Sequence, residues 1–195
     1  TGKYDVVVFT DTKLKPRDKL NAKGYKVFRQ AAEFETGEGG VAILVADHVA
    51  SGATALDSTA DNQLWIRIAG TKGRRDQCIC GAYMPQESAK KTAREDLWRE
   101  LEATGRRLSA DADLVIVGDL NAKLRSPTTD EEERRIGKHG EAGDRTPNGR
   151  LLYGVMRRLG LVSLVGQTKP PGTAGETAGV DFWWTRHDGP TKTHH

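Results

Sequence analysis

Apolar residues occur in short segments rich in β-branched side chains, and polar stretches separate them. Segments of this length and composition are typical of buried strands. The predicted strands are Tyr4–Thr10, Tyr25–Gln30, Val41–Ala46, Gln63–Ala69, Cys78–Tyr83, Asp113–Val117, Leu161–Val165 and Val180–Thr185. The fourth and fifth flank the glycine-containing segment Gly70–Gly73, so we expect them to form a hairpin.

Other apolar residues recur with helical spacing. Leu97, Leu101 and Leu108 predict a helix from Ser88 to about Leu108. A second helix is expected to start at Asn148, a good N-cap, and to end at Gly160; its apolar positions are Leu151, Leu152, Val155, Met156 and Leu159. We also expect a short helix over Pro16–Lys23 and loops over Asp47–Asp61 and Ala122–Pro147.

Strands outnumber helices, and hairpins alternate with crossover helices. This order predicts an α/β or α+β sandwich with mixed sheets rather than a parallel Rossmann-type sheet. A chain of 195 residues fits a single domain over residues 1–195.

Composition narrows the class of protein. Hydrophobic residues make up 36% of the chain, and the charges nearly balance at +3, which does not favour disorder. No run of about 18 apolar residues is present, so we expect no membrane partner. Cys78 and Cys80 would point to one face of a strand as reduced, buried thiols, which favours an intracellular location. The small positive charge permits an anionic partner without identifying one.

Polar residues stand where several predicted strands begin or end. Asp11 follows the first strand, Tyr83 closes the hairpin, Asp119 and Asn121 follow the strand LVIV, and Asp181 lies at the entry to the last one. Side chains at strand ends are held more rigidly than side chains on free loops. Carboxylates without clustered Cys or His suit a hard cation such as Mg²⁺.

In this order and spacing, four motifs resemble the endonuclease/exonuclease/phosphatase superfamily, the fold of DNase I and the apurinic endonucleases. They are Asp11–Leu14, Tyr83–Gln86, Gly118–Ala122 and Val180–Phe182. The segments Ile136–Gly143, Asn148–Leu152 and Leu159–Leu161 further resemble the endonuclease domain of non-LTR (LINE-type) retrotransposons. The resemblance covers the chain from about Tyr4 to Thr185.

The resemblance implies a four-layered sandwich of two mixed β-sheets flanked by helices. It implies a metal-dependent phosphodiesterase, an endonuclease that nicks DNA with activated water. The implied cofactor is Mg²⁺ or Mn²⁺, and the implied partner is nucleic acid, DNA rather than RNA.

The resemblance also assigns roles to individual residues. Asp11 and Asp119 would hold the metal, and Asp119 would also orient or deprotonate the attacking water. Asn121 would stabilise the developing charge, Tyr83 would support the phosphate, and Asp181 would orient a catalytic histidine. Gln86 and Lys13 would contact phosphate.

The chain also departs from the family pattern. Asp11 replaces a glutamate with a side chain one methylene shorter, a strand with an Asn that precedes the first motif is not matched, and neither is the final S-D-H motif. We therefore expect a domain that is truncated or degenerate at both termini and lacks edge strands there. The alternative function is a structural or binding subunit of a larger ribonucleoprotein, with no metal and with partner chains covering the sheet edges.

Simpler interpretations of single residues stay open. Asp119 and Asn121 could form an ordinary turn, Asp11 could cap one, and Tyr83 could be a strand-end aromatic residue. A basic run could contact phosphates or be a solvated surface; it comprises Lys13, Lys15, Arg17, Lys19 and Lys23. His139 is expected to face solvent.

Overall fold

The computed structural model describes residues 4–32, 38–57, 60, 62–138 and 143–164, and the backbone of Phe182–Arg186. Its strands are β1 (Val6–Thr10), β2 (Tyr25–Gln30), β3 (Val41–Ala46), β4 (Ala53–Ala55), β5 (Gln63–Ile68), β6 (Asp76–Tyr83), β7 (Ala112–Asp119), β8 (Leu161–Ser163) and β9 (Phe182–Arg186). Its helices are α1 (Asp47–Ala50), α2 (Lys91–Leu108), α3 (Asp130–Ile136) and α4 (Pro147–Leu159).

The strands form two sheets, as the sequence predicts. The small sheet has the order β1-β3-β2 and is antiparallel in its described strands. The large sheet has the order β4-β5-β6-β7-β9-β8 and is mixed, because β6 and β7 run parallel while its other pairs are antiparallel. The parallel register places Tyr83 opposite Asp119.

Alternation along the strands of the large sheet divides the core in two. Ile66 and Ile79 face the small sheet and pack near Ile43, while Trp65 and Cys80 face α2 and α4. The hydrophobic strands are therefore covered on both faces. Cys78 and Cys80 are buried, unpaired thiols on the helix side, which confirms the interpretation from sequence. In the part of the chain that the structure describes, no helix is long and apolar enough to cross a membrane.

Helix α2 connects β6 to β7 and makes their parallel arrangement possible. It buries Trp98, Leu101 and Leu108 against the large sheet and α4. Burial of side chains of this size contributes about 1.5–3 kcal/mol each. The same packing fixes the end of the sheet at which the loops after β6 and β7 emerge.

The helix predicted over Pro16–Lys23 is wrong. This segment is irregular, and distant donors bind the carbonyl group of its first residue and those of the two residues before it. The Arg29 guanidinium donates to the carbonyls of Lys15 at 3.1 Å and Pro16 at 2.7 Å. The N–H of Ala32 donates to the carbonyl of Leu14 at 2.9 Å. Contacts that are distant in sequence outweigh local helix propensity here.

Two predicted loops contain regular structure. Residues 47–61 include α1 and β4, and residues 122–147 include α3. The Thr129 hydroxyl caps α3 by accepting from the N–H of Glu132 at 3.2 Å. The first turn of α3 is acidic and its last turn is basic, which complements the helix dipole. The acidic residues Asp130–Glu133 thus begin a helix inside the predicted loop.

Glu132 anchors this long connection from inside the protein. Its side chain is buried and accepts from the Thr128 N–H at 2.9 Å and from Arg145 Nη2 at 2.8 Å. Burial alone would raise the pKa of the Glu132 carboxyl, but these bonds lower it to about 2. The ionised carboxylate thus holds residues 128 and 145 together at neutral pH.

The starts of α2 and α4 differ from the predictions. Helix α2 begins at Lys91 instead of Ser88, because Gln86–Ala89 forms a separate turn closed by a 3.0 Å hydrogen bond. Helix α4 begins at Pro147 with Thr146 as its N-cap, so Asn148 lies inside the first turn. The predicted end at Gly160 is confirmed, with a left-handed φ of 69°.

Gly149 is expected to be essential for the packing of α4, whereas Gly154 on the same helix is not. A Cβ at Gly149 would lie 1.8 Å from the Lys123 carbonyl oxygen, so Gly149→Ala should destabilise the fold by about 1–3 kcal/mol. A Cβ at Gly154 would first meet the flexible end of Arg158, at 3.1 Å. Gly154→Ala should therefore be neutral or stabilise by up to about 1 kcal/mol, through helix propensity. Urea unfolding followed by circular dichroism measures both; changes of equal sign and size would contradict this account.

Candidate functional site

Asp11 lies directly after β1 in a turn that depends on two glycines. Its φ is 52°, a left-handed conformation that Asp tolerates better than most residues. Its Oδ1 accepts from the N–H of Gly39 at 3.1 Å, and the N–H of Thr12 donates to the Gly40 carbonyl at 3.1 Å. A Cβ at Gly40 would lie 2.7 Å from the Thr12 hydroxyl. These contacts fix the carboxylate of Asp11 against the chain that leads into β3.

Asn62 joins this turn to the end of β6. Its Oδ1 accepts from the N–H of Gly40 at 3.0 Å, and its carbonyl accepts from the N–H of Tyr83 at 2.9 Å. Asn62 was not predicted as a site residue because it belongs to none of the four motifs. Asn tolerates the left-handed φ of 58° found at this position, but nothing in the sequence marks Asn62 as a site residue.

The loops after β6 and β7 are bonded to each other. The N–H of Met84 donates to the Asp119 carbonyl at 2.9 Å, and Asn121 Nδ2 donates to the Met84 carbonyl at 2.8 Å. Asp119 Oδ1 also accepts from the N–H of Asn121 at 3.0 Å. Asp119 and Asn121 therefore do form a turn, but this turn presents the Asp119 carboxylate beside Tyr83.

A cleft of about 580 Å³ opens at this end of the molecule. Its lining residues are Asp11, Lys13, Glu38, Gly39, Asn62, Tyr83, Pro85, Gln86, Ser88 and Ala89. Four predicted site residues thus share one cleft: Asp11, Lys13, Tyr83 and Gln86. Asp119 does not line it but lies opposite Tyr83 in the neighbouring strand. Asp181 and His139 lie outside the described residues, so the roles and orientations expected for them stay predictions.

Three carboxylates act on the Tyr83 phenol. Burial raises the pKa of Tyr83, and the negative charges of Asp11, Asp119 and Glu38 raise it further. The phenol therefore stays protonated at neutral pH and can donate a hydrogen bond. Lys13 Nζ lies 3.5 Å from Asp11 Oδ2, which places one cation at the same end of the cleft.

The donor chemistry of the cleft fits a hard divalent cation. Its described lining residues contribute carboxylate, amide and phenol oxygens, with no Cys or His among them. Within the described ranges, no three His, Cys, Asp or Glu side chains are close enough together to form a metal site. Mg²⁺ is usually held by only one or two carboxylates, with waters and substrate phosphate as its other ligands. Asp11 and Asp119 can fill that role.

The comparisons with known proteins agree with this geometry. The sequence model of the Endonuclease/Exonuclease/phosphatase family matches residues 1–194. The chain belongs to this family. The resemblance inferred from the four motifs is thereby confirmed, and so is the expected fold class.

Solved structures show the same fold. The AP endonuclease LMAP from Leishmania major has a TM-score of 0.68 at 13% identity, over 93% of this chain and 69% of that one. The Xenopus laevis APE2 catalytic domain has a TM-score of 0.63 at 12% identity, over 94% and 74%. The human Nocturnin catalytic domain has a TM-score of 0.56 at 14% identity, over 93% and 68%. No curated protein matches the chain by sequence.

The electrostatic account of Tyr83 is testable by titration. Asp119→Asn removes a negative charge, which makes the phenolate less costly, so the pKa of Tyr83 should fall toward its ordinary value of about 10. Ultraviolet difference spectroscopy against Tyr83→Phe isolates this phenol from the other tyrosines. Asp130→Asn, an exposed acid on α3, is the control and should leave the titration unchanged. An unchanged pKa in Asp119→Asn would show that the two side chains are not coupled.

Proposed function

We propose that this chain is a metal-dependent phosphodiesterase, an endonuclease domain that nicks DNA with an activated water molecule. The observation that carries the proposal is that Asp11 and Tyr83 line one cleft, and that Asp119 lies opposite Tyr83 beside it, in a member of this family. Hydrolysis of a phosphodiester requires an oriented water and stabilisation of charge on the phosphate. The residues of the cleft offer both.

Asp119 is the group that would accept the proton of the attacking water. Its Oδ1 is occupied by the N–H of Asn121, and the other oxygen, Oδ2, forms no hydrogen bond with any described residue. The protonated phenol of Tyr83 would donate to a phosphate oxygen. The Asn121 amide has a second N–H besides the one that binds Met84, and it would stabilise the charge that develops on the phosphate.

A Mg²⁺ or Mn²⁺ ion would be held by Asp11 and Asp119. When bound, such an ion neutralises charge on a phosphoryl oxygen and on the leaving oxygen. The ion pair between Asp11 and Lys13 is exposed, with Asp11 36% and Lys13 65% accessible, so it contributes little and can open for a cation.

The proposed substrate is nucleic acid, DNA rather than RNA. Lys13 lines the cleft, and the irregular segment that follows it continues with Lys15, Arg17 and Lys19 on the surface. Arg29 holds this segment through the carbonyls of Lys15 and Pro16. Exposed cations on a segment that begins at the cleft suit the phosphates of a nucleic-acid strand. Gln86 provides a further polar contact at the cleft.

We further infer an origin in a non-LTR retrotransposon. The support is the resemblance of Asn148–Leu152 and the segments around it to the endonuclease domains of those elements. The glycine of this motif also has a packing role, because a Cβ at Gly149 would collide with the Lys123 carbonyl oxygen.

Nicking of supercoiled plasmid tests the proposal. The chain should convert supercoiled to open-circular DNA in the presence of Mg²⁺, and excess EDTA should abolish this activity. Asp119→Ala should lower the rate about 10²–10⁴-fold, the range expected for loss of a general base. Asp130→Ala, which removes an exposed carboxylate on α3, should retain the rate of the unsubstituted chain.

The competing function is a binding module of a ribonucleoprotein. The Asp11–Lys13 ion pair is the observation compatible with it, because this exposed pair must open before the Asp11 carboxylate can bind a metal. Equal, metal-independent background nicking by the unsubstituted chain and both variants would contradict the nuclease proposal in favour of this alternative.

A further inference from the structure

Asn148 joins both loops of the candidate site, although it lies outside the cleft. Its side chain is fully buried in the first turn of α4. Its Nδ2 donates to the Pro85 carbonyl at 2.8 Å and to the Asn121 carbonyl at 2.9 Å. One amide group thus bonds to the loop after β6 and to the loop after β7.

Arg94 fixes the orientation of this amide. Arg94 is 8% exposed, and its Nη1 donates to Asn148 Oδ1 at 3.2 Å. A guanidinium can only donate, so the oxygen of the Asn148 amide must face Arg94 and its NH₂ group must face the two loops. The Nε of Arg94 is buried and has no hydrogen-bond partner among the residues that the structure describes. Burial of an unpaired N–H group lowers the stability of the fold, so a gain in stability does not explain why Arg94 is buried here.

The loop that Asn148 holds is conformationally demanding. Asn121 has a left-handed φ of 45°, and its own side chain bonds back to the Met84 carbonyl at 2.8 Å. The backbone carbonyl of Asn121 is the group that Asn148 binds. Asn121 is therefore held on two sides, by the loop after β6 and by α4.

We propose that Asn148 is a positioning residue, which acts through Asn121 to set the separation between Tyr83 and Asp119. For its catalytic readout this inference rests on the proposed nuclease function. Among the described residues of α4, Asn148 alone donates hydrogen bonds to both loops. Removal of the donors leaves the two loops joined by the bonds of Met84 with Asp119 and Asn121, but no longer tied to α4, so their separation is less tightly fixed while the strands below them stay paired.

The substitution Asn148→Asp isolates this role. It keeps the size of the side chain and an acceptor for Arg94, but it removes both donors and places negative charge against two carbonyl oxygens. A displacement of about 1 Å at a catalytic group can lower a rate about 10²-fold. We expect kcat on a fluorescent duplex oligonucleotide to fall about 100-fold, with KM changed by less than about threefold.

A double-mutant cycle with Asn121→Ala tests whether the effect passes through Asn121. Asn121→Ala keeps the carbonyl that Asn148 binds but removes the Nδ2 bond to Met84, so this loop has already lost one of its two anchors. In that background Asn148→Asp should lower kcat by no more than about threefold further, because coupled sites are not additive. Val155→Ala, which truncates a buried side chain on the same helix, controls for general loss of stability. It should lower the melting temperature and leave kcat unchanged below the transition.

Hydrogen–deuterium exchange provides a readout that does not require activity. Peptides covering residues 84–86 and 119–122 should exchange faster in Asn148→Asp than in the unsubstituted chain, and Val155→Ala should not show this local change. If the unsubstituted chain is inactive, the proposed function fails and this comparison alone decides the positioning role. Unchanged exchange in both loops would overturn the inference. A 100-fold loss of kcat that persists unchanged in the Asn121→Ala background, or retained kcat, would also overturn it.

Discussion

The parallel pairing of β6 with β7 is the constraint on which the candidate site depends. It brings the carboxyl ends of two neighbouring strands to the same edge of the large sheet, and its register sets Tyr83 opposite Asp119. An antiparallel pair would have placed these residues at opposite ends. Helix α2 makes the crossover, and its burial against the sheet keeps both loops at one end of the molecule. The hydrophobic core thereby determines where the polar chemistry can occur.

Buried polar contacts then fix what the sheet has brought together. Asn62 ties the Asp11 turn to Tyr83, and Asn148 ties α4 to the loops that carry Tyr83 and Asp119. Gly149 allows α4 to approach the chain closely enough for these bonds to form. In a low-dielectric interior such bonds are strong when satisfied and costly when broken. The site therefore depends for its precision on Asn62, which lines the cleft, and also on Asn148 and Gly149, which do not.

The sequence predicted every described strand except β4, and the polar residues at the ends of β1, β6 and β7, because both depend on local patterns. It failed at residues whose environment comes from distant parts of the chain. Pro16–Lys23 has a local pattern typical of a helix, but Arg29 binds the carbonyl groups of Lys15 and Pro16 where this segment begins. Asn148 looks like an N-cap, but Thr146 takes that position and leaves Asn148 to bond across the fold. Helix α3 was missed for a different reason. Its capping threonine, Thr129, and its ordered charges are local signals in the sequence, but the segment was predicted to be a loop.

The proposed function requires the cleft at the ends of β1, β6 and β7 to bind a divalent cation for phosphodiester chemistry. Paramagnetic broadening of amide resonances by Mn²⁺ in the isotope-labelled chain tests it most directly. The account predicts selective broadening around Asp11, Tyr83 and Asp119 at substoichiometric Mn²⁺, with reversal by excess Mg²⁺ and loss in Asp119→Asn. Broadening that is uniform, or that centres on another part of the surface, would contradict it.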